Sequence, residues 1–137
     1  TLEYLETSGV PVISVGTEEF PAFYSRRSGF RTECALDDPK KIAEVIAMKN
    51  QLGLGGGILI ACPIPEEYEI PYEKMDKVIV QALRECKEQG VTGKRITPFL
   101  LDRVKQLTDG SSLEANIHLV LNNAKIGTEI AVSLFNR

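Results

Sequence analysis

The chain has 137 residues, enough for one domain with one core. Charged residues make up 26% and apolar residues 43%, which excludes a disordered chain, and the net charge of −3 leaves no basic footprint for nucleic acid. No apolar run reaches the roughly 18 residues that a bilayer span needs, so no membrane partner is expected.

The segment Leu2 to Ser8 reads as the last turns of a helix stopped by Gly9. There is no initiator Met and no signal or transit peptide, so the chain is expected to be a piece of something longer or a processed product, and its unpaired cysteines add the expectation of a cytoplasmic location. Val10-Pro11-Val12-Ile13-Ser14-Val15-Gly16 is β-rich and bounded by glycine, as a buried strand would be. Phe20 to Phe30 is aromatic, basic and irregular. Asp38-Pro39 supplies an N-cap and a proline at the first helical position. Ile42, Val45, Ile46, Lys49 and Leu52 then lie on one face of a helix that Gly53 ends.

Four glycines, Gly53, Gly55, Gly56 and Gly57, lead into a second strand over about residues 57–62, and Cys62-Pro63-Ile64-Pro65 breaks it. A phosphate-cradling glycine loop follows a strand and opens a helix, and here the order is reversed. The bland explanation of the glycines is close packing of a helix on a sheet. The functional one is a strand exit that frames a pocket, since ligands of open α/β sheets sit at the carboxyl ends of strands.

Tyr72 to Gln89 is a long amphipathic helix with Met75, Val78, Ile79, Ala82, Leu83 and Cys86 expected on one face. Thr97-Pro98 reads as cap and first position of a helix through Leu107. Ser111-Ser112-Leu113-Glu114 has the capping-box pattern. It opens a last helix carrying Ile117, Val120, Leu121, Ala124, Ile130, Ala131 and Leu134. Four or five helices with only two clear strands imply that partner strands lie outside these residues.

Candidate chemistry is sparse. Three cysteines at wide spacing, no CxxC and one histidine argue for free thiols and against a structural zinc site. Glu66, Glu67 and Glu69 could do acid–base or metal work, but acids in a loop before a helix are common. Arg26 and Arg27, beside Phe23 and Tyr24, could hold a phosphate, pack on a neighbouring subunit or simply face water. Asn116 and Asn123 are seven residues apart and share a helix face with Val120. An amide on a packed face needs hydrogen-bond partners, either backbone or the polar edge of a base or sugar.

Taken together, several blocks resemble one family. They are Glu3-Tyr4-Leu5-Glu6-Thr7 with Gly9-Val10-Pro11, Phe20-Pro21-Ala22-Phe23, Gly55-Gly56-Gly57 through Pro63-Ile64-Pro65-Glu66, Gly93-Lys94, Thr97-Pro98-Phe99-Leu100-Leu101, and Leu107-Thr108 through Ser112-Leu113, Asn116-Ile117, Leu119-Val120 and Asn122-Asn123-Ala124. In this order they look like the C-terminal half of pseudouridine-5′-phosphate glycosidase, the family also called indigoidine synthase A-like. The resemblance covers nearly the whole chain.

It implies an α/β fold of three layers, α/β/α, with a mixed sheet. Residues 1–137 would be the C-terminal portion of one domain, holding part of the sheet and most of the C-terminal helices. It implies homotrimers that reversibly cleave the C–C glycosidic bond of pseudouridine 5′-phosphate to uracil and ribose 5-phosphate, with manganese required. A uracil carbon is a poor leaving group, so protonation at C5 must accompany its departure, and a lysine of depressed pKa can trap the sugar as a Schiff base. The family's nucleophilic lysine, acid glutamate, second lysine and metal-linked aspartate belong to its N-terminal half. The nucleophile would fall just upstream of Thr1.

No catalytic residue and no metal ligand is therefore expected in this chain, and manganese would be bound by the other half. Asn116 carries over as a substrate-binding residue, and Phe23 more weakly as pocket lining. Alone, the 137 residues are expected to be inactive and to fold poorly. The alternative is a non-catalytic scaffold or interaction domain derived from the same fold. A third reading is a relative acting on another C-nucleoside or sugar phosphate.

Overall fold

The structure is a computed structural model, and it describes residues 2–136. The chain is α/β. Helix α1 (Leu2–Thr7) leads into strand β1 (Val12–Val15), then β2 (Cys34–Leu36), α2 (Pro39–Gln51), β3 (Leu59–Ala61), α3 (Tyr72–Glu88), α4 (Ile96–Leu107) and α5 (Ser111–Phe135). The three strands lie in the order β2-β1-β3, and both pairings are parallel. Ile13 stands opposite Cys34 on one side and Ile60 on the other.

Strand β2 is the element that sequence patterning did not resolve. It has only three residues, too few for an alternation to register, and it is reached through the irregular loop after Gly16. That loop is tied by isolated antiparallel bridges, Glu19 with Arg31 and Ala22 with Ser25.

Helix ends follow the local chemistry. Asp38 accepts a 2.8 Å hydrogen bond from the Lys40 N–H, with Pro39 at the first turn. At the far end of α2, Leu54 N–H donates to Lys49 C=O and Gly53 N–H to Asn50 C=O, a Schellman closure around Gly53 at φ 65°. Helix α4 closes the same way, with Gly110 N–H on Lys105 C=O, but the left-handed position there is held by Asp109 at φ 49°.

Two expected caps are displaced. Helix α4 starts at Ile96 after a 3-10 turn over Gly93–Arg95, so Thr97 lies inside it and is not its cap. Helix α5 starts at Ser111 without a side-chain cap from that serine. The Thr108 hydroxyl takes the role instead: it accepts from Ser112 N–H at 3.2 Å and donates to Val104 C=O at 2.8 Å.

The glycine-led run is a loop wound over one ammonium group. Lys49 Nζ donates to the carbonyls of Leu54, Gly55 and Gly56 at 2.7, 2.5 and 2.8 Å. A Cβ built on any of these glycines would meet open space. Close packing therefore does not explain them, whereas the positive φ of Gly53 and Gly56 does at those two positions.

Two clusters make the interior. A helical one gathers Tyr24, Ile64, Ile70, Met75, Ala82, Val104, Ala115 and Leu119. A sheet one sets Ile13 and Val15 against Ile42, Ala43 and Ile130, with Ile126 and Leu134 at its border. Helix α5, about 37 Å long at 1.5 Å per residue, belongs to both. Its buried stripe is Ser112, Ala115, Leu119 and Ile130, so the expected core positions Ile117, Val120 and Leu121 face outward. A helix apolar all round gives periodicity nothing to choose between. On α3, Ile79 and Leu83 of the expected apolar face are exposed.

Candidate functional site

The carboxyl ends of the strands are where an open parallel sheet offers a ligand crevice. There β3 runs into Cys62-Pro63-Ile64-Pro65, and helix α5 reaches it through a side chain. Asn122 Nδ2 donates to the Pro63 carbonyl at 3.0 Å. Four residues before Asn122, the His118 ring lies flat on Tyr68, with centroids 3.3 Å apart and planes 5° from parallel.

The loop after β1 is pinned to the same exit. Ser25 Oγ donates to Ile70 C=O at 2.5 Å, Arg26 N–H to Glu69 Oε1 at 2.7 Å, and Arg26 Nη1 to Ile64 C=O at 2.8 Å. Arg26 is thus committed to a carbonyl. Arg27 is exposed and pairs with Glu19 at 3.3 Å. The two arginines form no phosphate fork. Glu66 and Glu67 sit exposed on a 3-10 turn, and Glu69 is occupied by the Arg26 amide. Among the described residues, no three His, Cys, Asp or Glu side chains gather as a metal site.

Phe23 occupies a strained position. Its φ is 59°, and Tyr24 N–H bonds back to Ala22 C=O at 2.7 Å around it, the pattern of a γ-turn. For a bulky side chain this is a conformational outlier of the sort found at binding sites. Phe23 itself is 47% exposed, and its ring meets Tyr24 edge-on at 4.7 Å and 84°. The turn drives Tyr24 inward.

Tyr24, not Phe23, lines a small cavity of about 190 Å³ together with Asn116, Ser112, Leu101, Leu113, Asp102 and Lys105. Burial pushes the Tyr24 hydroxyl above its ordinary pKa, against the opposing pull of a hydrogen bond with Ser112. The phenol therefore stays protonated at neutral pH. Asn116 is half-buried in this wall, while Asn123 and Val120 on the same face are exposed. Of the two sequence-derived binding candidates, Asn116 lines a small, mostly apolar pocket and Phe23 supports its neighbour.

Tyr24 escaped the sequence reading because an irregular loop carries no periodicity to mark a buried ring. Its one available signal was its place in the aromatic pair Phe23-Tyr24. Cys62, at the strand exit, is half-buried, and burial pushes its thiol up, away from the reactive thiolate.

A groove of about 700 Å³ lies between α2 and the glycine loop, against Pro11 and Ile58 at the amino ends of β1 and β3. Val45, Met48, Leu52 and Leu54 make its walls apolar. Lys41, Glu44 and Lys49 also line it, and Lys49 is committed to the carbonyls of the glycine loop.

The family profile described as "Indigoidine synthase A like protein" matches residues 1–133. A pseudouridine-5′-phosphate glycosidase of Clostridium botulinum is 52% identical over 134 residues, which is 98% of this chain and 44% of that protein. One of Caldanaerobacter subterraneus is 55% identical with the same coverage. Among solved structures, an indigoidine synthase A-like protein of Thermotoga maritima superposes with a TM-score of 0.86 at 35% identity, over 98% of this chain and 44% of that one. The prealnumycin C-glycosynthase AlnA, in complex with ribulose 5-phosphate, gives the same TM-score at 28% identity, with the same coverage. The chain thus spans less than half the length of these relatives. By sequence and by fold, it belongs to the indigoidine synthase A-like family.

Proposed function

We propose that these residues form one wall of the active site of a C-glycosidase acting on pseudouridine 5′-phosphate. The observation that carries the reading is 52–55% identity, along nearly the whole chain, to relatives bearing that name. In this reading the enzyme reversibly separates uracil from ribose 5-phosphate, as a homotrimer, through a lysine adduct. The lysine and the acid glutamate belong to the length of the relatives that this chain does not span. So does the manganese site, since the residues described here do not fit a metal. No step in this wall is routed through manganese.

What the wall offers is hydrogen bonding at fixed points. Asn116 brings a donor and an acceptor to the cavity beside Tyr24 and Ser112. An amide suits the alternating donor–acceptor edge of a pyrimidine or the hydroxyls of a sugar. Tyr24 and Ser112, both buried, flank the amide on that side of the cavity. The chain alone is expected to be inactive.

Pseudouridine 5′-phosphate cleavage is to be measured with manganese, for the 137 residues alone and for the chain extended to the relatives' length. Turnover only in the longer protein supports the reading, and robust turnover by the 137 residues overturns the placement of the nucleophile. Because a C-glycosynthase with ribulose 5-phosphate shares the fold, a panel of sugar phosphates belongs in the same assay. Cleavage of another member in preference to pseudouridine 5′-phosphate would move the substrate within the same chemistry.

A further inference from the structure

Helix α5 is apolar on two opposite sides. Its inner stripe is buried in both clusters. Its outer face carries Ile117, Val120, Leu121, Val132 and Phe135, each more than half exposed. Ala124 and Ala131 continue the stripe between them. The three charged residues of the helix, Glu114, Lys125 and Glu129, lie together along one edge, where Leu121 and Val132 border them, and the stripe of Ile117, Val120, Ala124, Ala131 and Phe135 beside that edge carries no charge.

A surface helix has a polar outer face, and one that is apolar all round belongs inside a larger body or a membrane. No described helix is long and apolar enough to cross a membrane. The body is indicated by the relatives. This chain superposes almost entirely on solved chains more than twice its length, at a TM-score of 0.86, so its fold is one part of a larger single chain.

We infer that the outer face of α5, around Val120 and Leu121, is an internal interface, covered by the portion of a relative-length chain that these 137 residues do not span. Asn116 and Asn123 stand at the rim of that face, so the covering segment would also supply the second wall of the Asn116 cavity. The inference needs only the family's length and the pattern of α5, and it stands apart from the choice of substrate.

Single cysteines placed in the chain extended from its own gene test it. Val120→Cys and Leu121→Cys probe the face, and Glu129→Cys on the charged edge of the same helix is the control. Maleimide labelling is read by peptide mapping, which separates these sites from Cys34, Cys62 and Cys86. The expected result is labelling of the two face positions about 100-fold slower than the control at every protein concentration, because a covered site labels only when it opens. Rates matching the control would overturn the inference. So would slow labelling that is lost on dilution, which would make a second copy the occupant. A gene that encodes no further length would overturn it as well.

Discussion

The two ends of helix α5 sit in the same molecule and do different work. Toward its start the neighbours are polar and specific: Thr108 caps it, Ser112 meets Tyr24, His118 stacks on Tyr68, and Asn122 holds the Pro63 carbonyl. Toward its end Ile126, Ile130 and Leu134 meet Ile13, Val15 and Ile42, with aliphatic contacts throughout. The first end fixes side chains that can address a ligand. The second offers burial without polar partners, whereas the first also places Ala115 and Leu119 in the helical cluster. Stability and recognition are therefore separable along one helix, and substitutions at the two ends should read out differently.

The largest effect is expected at the aliphatic end. Ile130 is 5% exposed, and Ile130→Ala removes its side chain from the sheet cluster. A loss of about 2–5 kcal/mol is expected in denaturant unfolding. An equally large loss of catalytic rate per folded molecule would break the comparison.

Asn116→Ala is the converse. In the chain of full family length, activity should fall about 10- to 100-fold, worth ~1.4–2.8 kcal/mol of transition-state stabilisation. The melting temperature should barely move, since the half-buried amide belongs to the cavity wall and not to either cluster. Unchanged kinetics would remove Asn116 from the site.

A smaller change sharpens the boundary between the two ends without touching either. Asp109 holds the left-handed closure before α5, where glycine is at ease. Asp109→Gly should stabilise the fold by about 0.5–1 kcal/mol with activity unchanged. Destabilisation in thermal melts would show that the aspartate side chain has a role of its own.

The least effect is expected from two partly buried carboxylates. Backbone N–H groups of Gly29 and Ser28 hold the Glu19 carboxyl below its ordinary value of 4.5. Hydrogen bonds from Arg103, then Gln81, do the same for Glu85. Both titrate lower in the fold than in the unfolded chain, so their support is complete above about pH 4.5 and drains as pH falls through the folded values. Glu85→Gln should flatten the acid limb of a stability–pH curve and leave neutral stability nearly unchanged. A neutral-pH loss larger than that of Ile130→Ala would invert the comparison.

Much of this architecture was legible before any coordinates. The cap at Asp38, the stop at Gly53 and the 3.6-residue pattern located α2 and α3, because each signal is local. Strand β2 was not legible, since Cys34-Ala35-Leu36 is defined by pairing with Ile13, Ser14 and Val15 and not by its own pattern. The orientation of α5 was hidden for a related reason. With Ile117 and Val120 as apolar as Leu119 and Ile126, only the packing partners decide which side turns inward. The candidate site divides the same way. Asn116 was visible as a poor helix former in an apolar helix, whereas Tyr24 depends on a strained turn and Asn122 on a carbonyl 59 residues distant.

That α5 closes both clusters has a consequence for synthesis. Residues emerge from the ribosome in chain order, and of the helices described here the last to appear is the one that both clusters need. Until Ala115 and Leu119 are out, the helical cluster lacks its inner stripe, and until Ile130 is out the sheet has one open side. Every earlier element waits as apolar surface in water. A nascent chain stalled before Ile130 should thus offer the open side of both clusters to chaperones and proteases, and emergence of Ile130 should close the sheet side.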